Sequence, residues 1–310
     1  MPSTEEMLST ARVWPVMLTP LNWDRTIDWD GVDRITDWYI DAGITGLFTN
    51  SRSSEVEFLS PEERVQLAER VVRRANGRAA VVATGTYGAS ASEEIETIKQ
   101  ISDVGADAVV ILTNHLGSPA ASEAQWTGQL EQIVEGTGDI KLGFYECPTP
   151  WKRLIPANVF KWAADTGRFV FHKDLTFDPN DMQDKIDAAR GTGLRIYNGE
   201  ITSTYQSIIA GAHGHSGYAS SLNPQLMIWL CENAHRDDDT VRTVQRLMSV
   251  FERMINLGYP SSAKQLLAAT GQLDISPISR MPGAHPLGAH DYDSLQDMVD
   301  LIDSLDLQLT

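Results

Sequence analysis

Short apolar runs alternate with amphipathic segments along most of this chain, and the alternation is regular. Runs at 12–19, 44–50, 79–86, 107–113, 140–146, 168–173, 194–198 and 215–220 read as strands. Between them, 30–42, 61–76, 91–104, 123–136, 156–166, 179–190 and 203–211 carry helical periodicity. Ser60-Pro61-Glu62-Glu63 combines an N-cap serine, proline in the first turn and acids at the positive end of the helix dipole. Ser90 and Ser92 ahead of Glu93 and Glu94 serve the next helix in the same way. Gly43, Gly77, Gly105, Gly138, Gly167 and Gly193 mark helix ends.

Strands and helices alternating in this number predict an α/β protein with a parallel sheet, closed as a (β/α)8 TIM barrel. After the last strand the pattern changes. Residues 224–257 read as one or two long helices, followed by 261–270 and 293–305. The expected organisation is a barrel over 1–222 with a helical extension, 223–310, packed on it. A dinucleotide fold would carry a glycine-rich turn after the first strand. Here that turn reads TPLNWDRTID, and the glycines of 85–90 fit a tight turn better than a nucleotide cradle.

Composition narrows the partners. Hydrophobic residues at 42% and charged residues at 22% suit a globular chain with a full core. The net charge of −17 argues against nucleic acid or an anionic membrane surface, which call for a positive field. No apolar run reaches the length of a membrane span, and the acidic N-terminus lacks the features of a signal peptide. Cys147 and Cys231 have neither metal-ligand spacing nor a disulfide framework, so a reducing cytoplasm is the expected setting.

Barrel enzymes place their chemistry at the C-terminal ends of the strands. In RFVFHKDLTFD, Lys173 stands where a buried strand ends, and the pleat aims it to the side of Phe169 and Phe171. A desolvated lysine there sheds its proton easily and attacks a ketone to form a Schiff base. The bland alternative is a lysine that snorkels to the rim and pairs with Asp174. Tyr145, at the end of the preceding strand in GFYECP, is placed to pass protons to an adduct on Lys173. By itself it reads equally as a rim tyrosine. His213 and His215 have the spacing of a metal pair but no carboxylate near them in sequence, which favours a structural role.

GITGLFTNSRSSEVEFLSPEER, GFYECP, FHKD, NGE and GAHGHSGYASSLNP, in that order, resemble the dihydrodipicolinate synthase / N-acetylneuraminate lyase family. The resemblance covers roughly residues 11 to 270. It implies a class I Schiff-base lyase acting on pyruvate or another 2-oxo acid. Lys173 is then the imine-forming residue and Tyr145 the catalytic tyrosine. Ser51–Glu55 aligns with the family's carboxylate loop. There Ser53, Ser54 and Arg52 are expected to hold substrate, with Gly199 and Ser216 lining the pocket.

The resemblance also implies a homo-oligomer, tetramer or dimer, and no metal or cofactor, because the iminium is itself the electron sink. Three departures mark an atypical member. Arg52 replaces a threonine that relays protons, and either binds a second carboxylate or turns outward to offset the acidic surface. Leu116 replaces a tyrosine, and Pro150 an arginine that grips a semialdehyde carboxylate. A 2-oxo-3-deoxy sugar acid dehydratase, or a non-catalytic 2-oxo acid binder, are the competing readings.

Overall fold

The computed structural model describes residues 2–88 and 90–309. An opening helix, α1 (Thr4–Thr10), is followed by α2 (Trp29–Asp41) and then by the strands β1 (Gly46–Thr49), β2 (Ala80–Thr84), β3 (Ala108–Leu112), β4 (Leu142–Tyr145), β5 (Phe169–Asp174), β6 (Arg195–Asn198) and β7 (Gly214–His215). They form one seven-stranded sheet, paired in chain order and parallel throughout. The connections carry α3 (Pro61–Ala75), α4 (Ala91–Asp103), α5 (Glu123–Gly136), α6 (Ala157–Asp165), α7 (Pro179–Ala189) and α8 (Thr204–Ala210). The extension is α9 (Pro224–Asn233), α10 (Asp239–Ile255), α11 (Ser261–Ala269) and α12 (Ala289–Leu309).

Two of the eight expected strands are altered. The run 12–19 is not a continuous strand but an extended segment that bridges both sheet edges, Val13 to His215 and Val16 to Phe48. Trp14 N–H donates to His215 O at 2.9 Å and Met17 N–H to Phe48 O at 2.9 Å. Pro15 lies between those donors and has no N–H of its own, which interrupts the ladder. The expected strand 215–220 is cut to Gly214–His215. The chain turns away at Gly217, where a Cβ would lie 2.6 Å from His215 Nε2 and 3.0 Å from Gly199 O.

The expected helices form, each to within a residue or two, except that α12 begins earlier than 293 and ends later than 305. Segment 224–257 divides into α9 and α10 at Asp237, which takes the left-handed conformation (φ 45°) before Asp238 caps α10. Five of the six marked glycines have positive φ; after α7 that conformation falls on Gly191 instead of Gly193. Helix α1 was not legible in the acidic N-terminus. Ser3 caps it, and its Met7 and Leu8 are buried with the sheet interior.

The interior, ringed by the strands, holds Trp14, Phe48, Val82, Val110, Tyr145, Phe171 and Tyr197. A second layer, with Phe144, Phe169, Trp126 and Phe160, fills the space between sheet and helices. Both faces of every central strand are therefore covered, which is why the strands read as unbroken apolar runs. Phe169 does not share the side of Lys173, contrary to the simple pleat. The pairing register slips between Leu142 and Gly143, so Phe169 turns outward and stacks on Phe144 with centroids 4.2 Å apart. Phe171 and Lys173 remain inward.

Helices α9–α12 share a third core with α2, β1 and α3. A buried ion pair reinforces that junction. Glu55, in the left-handed conformation (φ 59°), accepts from Lys264 Nζ of α11 at 2.5 Å, from Ser279 Oγ at 2.7 Å and from Met281 N at 3.1 Å. Both side chains are essentially without solvent contact. Lys264→Met should leave the Glu55 carboxylate buried without its cation and lower stability by roughly 3–5 kcal/mol. A urea midpoint shifted well down, and partly restored by adding Glu55→Gln, is the expected result. An unmoved midpoint would dismiss the pair as the link between loop and extension.

Candidate active site

Strands β4 and β5 set the two central groups side by side, since Tyr145 and Lys173 are register partners. Lys173 is buried, with Nζ 4.5 Å from the Tyr145 ring centroid and 5.9 Å from that of Phe48. No hydrogen bond or ion pair engages its Nζ among the described residues. Burial pulls the ammonium down to a pKa of about 7; Cys147 and Glu252 pull it up and Arg52 pushes it further down. Roughly half of a group with that pKa is free amine at pH 7. The rim-snorkelling alternative therefore does not describe Lys173, and Asp174 points the other way. Tyr145 is also enclosed, and burial pushes its phenol well above 10, with Arg52 opposing. It keeps its proton at neutral pH.

Gly199 makes room for the lysine. A Cβ at that position would lie 3.0 Å from Lys173 Cε and 3.0 Å from Asp174 O. Ser216 is held by its N–H on Asn198 O at 2.9 Å, and its buried Oγ has no partner among the described residues.

The loop after β1 is a 3-10 turn, Arg52–Ser54. Ser54 anchors it: its Oγ donates to Met17 O at 2.7 Å and accepts from Ser51 N at 3.1 Å. The Ser54 hydroxyl is thus committed to the scaffold, whereas Ser53 Oγ is buried without a hydrogen bond of ordinary geometry. Tyr259 lies close enough for Ser53 to draw down a phenol that burial raises far above 10. Arg52 is half-buried and turned inward: its charge acts on Tyr145, Tyr218 and Lys173, and its Nε has no partner among the described residues. Of the two orientations left open by the sequence, the outward one is not adopted.

Behind β5 lies a cluster that the sequence reading did not find. Lys185 of α7 sits 2.6 Å from both Glu146 Oε1 and Asp174 Oδ2, and His172 Nε2 is 3.2 Å from the same Asp174 oxygen. Burial raises the Asp174 carboxyl, but His172 and Lys185 together hold it well below the usual carboxylate range. The same carboxylates receive backbone N–H groups, Ile155 on Glu146 at 3.0 Å and Thr176 on Asp174 at 2.9 Å. Glu146, His172 and Asp174 converge as metal ligands would, yet the Lys185 ammonium already stands among them as the cation. His213 and His215 do not converge. The first bonds the Ile196 N–H and Arg195, the second Thr204 Oγ1 at 3.0 Å.

Tyr218, Tyr259 and Glu252 also escaped the sequence reading: Glu252 because helical periodicity explains its segment without it, and Tyr259 because it lies in the short link between two helices. Tyr218 and Tyr259 stack with centroids 4.3 Å apart. Leu116 is wholly buried in the outer layer, away from the site. Pro150 lines an open cleft of about 490 Å³ with Glu57, Asn114, His115 and Trp151.

Comparison with known proteins bears on this arrangement. The 4-hydroxy-tetrahydrodipicolinate synthase of Marinobacter nauticus is 26% identical over 272 residues, 85% of this chain and 91% of that one. A dihydrodipicolinate synthase structure from Acinetobacter baumannii, in complex with pyruvate, superposes with a TM-score of 0.81 at 23% identity, covering 94% of this chain and 98% of that one. A catalytic lysine mutant of Ruminococcus gnavus sialic acid aldolase gives 0.86 at 18% identity over 100% of both chains. These two likenesses speak for the fold. Residues 9–302 match the model of the Dihydrodipicolinate synthetase family, a span that includes the sheet, the Lys173 site and nearly all of the extension, and the chain belongs to that family.

Proposed function

We propose that this protein is a Schiff-base-forming lyase of the class I aldolase type, acting on pyruvate or a related 2-oxo acid. The observation that carries the reading is the enclosed Lys173 amine, unpaired among the described residues and beside Tyr145. Family membership and the pyruvate complex of the Acinetobacter relative support it. In this reading the sheet is a (β/α)8 barrel whose first strand is the bridging segment 13–17, and the protein acts as a homo-oligomer, a dimer or tetramer.

The neutral amine of Lys173 attacks the ketone carbon of the 2-oxo acid to give a carbinolamine. Loss of water, with the proton delivered by Tyr145, leaves an iminium. The iminium accepts the electron pair when the carbon–carbon bond beyond it breaks, giving an enamine, while Tyr145 takes the hydroxyl proton of the fragment that leaves as an aldehyde. The enamine is protonated at carbon, and water adds to the iminium so regenerated, releasing the 2-oxo acid and the free lysine. Ser53 and the neighbouring backbone hold its carboxylate, Gly199 and Ser216 bound the pocket, and Ser54 supports the loop. Arg52 binds an acidic group on the distal part of the substrate. The cleft lined by Pro150 and Trp151 has room for that part, without the polar groups of a semialdehyde site.

Borohydride reduction in the presence of pyruvate, followed by intact mass and peptide mapping, tests the mechanism. The adduct should map to Lys173, and Lys173→Ala should abolish trapping while the protein stays folded. A label on Lys141, Lys152 or Lys161, each already engaged by Glu5, Thr176 O or Asp165, would overturn it. With a pKa of about 7, trapping should rise from pH 6 to pH 8 as the amine loses its proton, and level off above.

Tyr145→Phe should retain slow trapping and lose turnover by roughly 10²–10⁴-fold. Arg52→Ala should raise KM much more than it lowers kcat; an equal loss in both would give the arginine a part in the chemistry. Product analysis separates cleavage, which releases an aldehyde, from dehydration, which keeps every carbon. Light scattering at a multiple of 34.2 kDa is expected, and a monomer at micromolar concentration would refute the assembly.

A further inference from the structure

Helix α7 turns Met182, Lys185, Ile186 and Ala189 inward, at the spacing of a buried helix face. Three of them pack in the outer layer. Lys185, which is 3% exposed, instead carries its ammonium to Glu146 Oε1 and Asp174 Oδ2, 2.6 Å from each. An apolar side chain would serve packing at least as well. Exchanging a buried ion cluster for apolar groups of similar size is commonly neutral or stabilising. Stability therefore does not account for a lysine in this stripe.

The two carboxylates it joins do. Glu146 is the residue after Tyr145, and Asp174 is the residue after Lys173. Tyr145 is the last residue of β4, and the chain turns away behind it, with Cys147 N–H on Tyr145 O at 2.9 Å. The backbone bond that carries the β4–β5 ladder past this point, Glu146 N–H to Lys173 O, is long at 3.3 Å. Strand ends held so loosely are the first to open.

Side chains on the outer face of the sheet tighten the junction. Glu146 Oε2 accepts from Leu175 N at 3.4 Å and Asp174 Oδ1 from Thr176 N at 2.9 Å, so both carboxylates grip the loop that leaves β5. Ile155 N–H fastens Glu146 to the segment ahead of α6 at 3.0 Å, and His172 Nε2 lies 3.2 Å from Asp174 Oδ2. Lys185 bonds both carboxylates at once, with the short charge-assisted geometry that is strongest when buried. It thereby ties the end of β4 to the end of β5.

We propose that Lys185 is a positioning residue for the pair on the other face: by clamping Glu146 to Asp174 from behind the sheet, it fixes the spacing of the Tyr145 phenol and the Lys173 amine. The role rests on reading Lys173 as the imine-forming amine and Tyr145 as its proton carrier. Lys173 Nζ stands 4.5 Å from the Tyr145 ring centroid. A proton passed between groups so placed is sensitive to small displacements, and about 1 Å can cost on the order of a hundredfold in rate.

The variant that tests this is Lys185→Met combined with Glu146→Gln, because Lys185→Met alone strands two buried carboxylates. The pair of changes removes one charge of each sign. Asp174 keeps His172 and the Thr176 N–H, and the new amide keeps an acceptor for the Ile155 N–H. The readout is the rate of trapping at saturating pyruvate with excess borohydride, above pH 8, where Lys173 has already shed its proton. The double variant should stay folded and be trapped roughly 10- to 100-fold more slowly. The half-saturating pyruvate concentration should move by less than about threefold. In a Tyr145→Phe background the same changes should slow trapping by less than about threefold further, since the group being positioned is already gone.

Equal slowing in both backgrounds would make Lys185 a general support of the fold and overturn the proposal. An unaltered rate, or a double variant that does not fold, overturns it as well. If the unaltered protein is never trapped with pyruvate, the aldolase reading fails and crystal structures judge the clamp alone. The Lys173 Nζ to Tyr145 ring distance should then move by about 1 Å in the double variant, and a distance that stays at 4.5 Å rejects the clamp.

Discussion

Everything at the centre of this protein depends on keeping one amine out of water. Drawing Lys173 down from 10.5 to about 7 corresponds to roughly 5 kcal/mol of disfavoured charge at neutral pH. The strand that bears it must withstand that penalty without fraying toward solvent. It does so because alternate residues face alternate sides. Lys173 and Phe171 enter the aromatic interior, while His172 and Asp174 point outward to Lys185 and Glu146. An isolated charge on one face is thus fixed by a satisfied charge cluster on the other. Removing Lys185 would expose two buried carboxylates to each other directly behind the Lys173 nitrogen.

Much of this was legible in advance, for identifiable reasons. Helix ends were readable because capping is local, as Ser60 with Glu63 demonstrates. Lys173 and Tyr145 were readable because adjacent parallel strands put their ends in register. What escaped depends on contacts between distant segments. The slip at Leu142–Gly143, which turns Phe169 outward, leaves no mark on periodicity. Pro15 was a visible warning against a continuous first strand, but its effect depends on which neighbours need its missing N–H. The inward turn of Arg52, and the capture of Ser54 by the Met17 carbonyl, follow from the course of the segment beneath them.

The extension proved the hardest part to read. Its helices were apparent, but as packing alone. In the structure its side chains reach the C-terminal end of the sheet: Lys264 holds Glu55, Tyr259 lies beside Ser53, and Glu252 meets the loop at Ala219. A boundary at residue 222 therefore separates patterns in the sequence more cleanly than it separates labour in the molecule.

The loop after β1 distributes its duties unevenly. Ser51, Ser54 and Glu55 are tied to the scaffold, while Arg52 and Ser53 present side chains without hydrogen-bond partners on their buried polar atoms. Foldability thus rests on some letters of a five-residue word and not on others. Substitution at 52 and 53 leaves the anchors of the backbone in place, so the loop can change the groups it offers to the interior without changing its course.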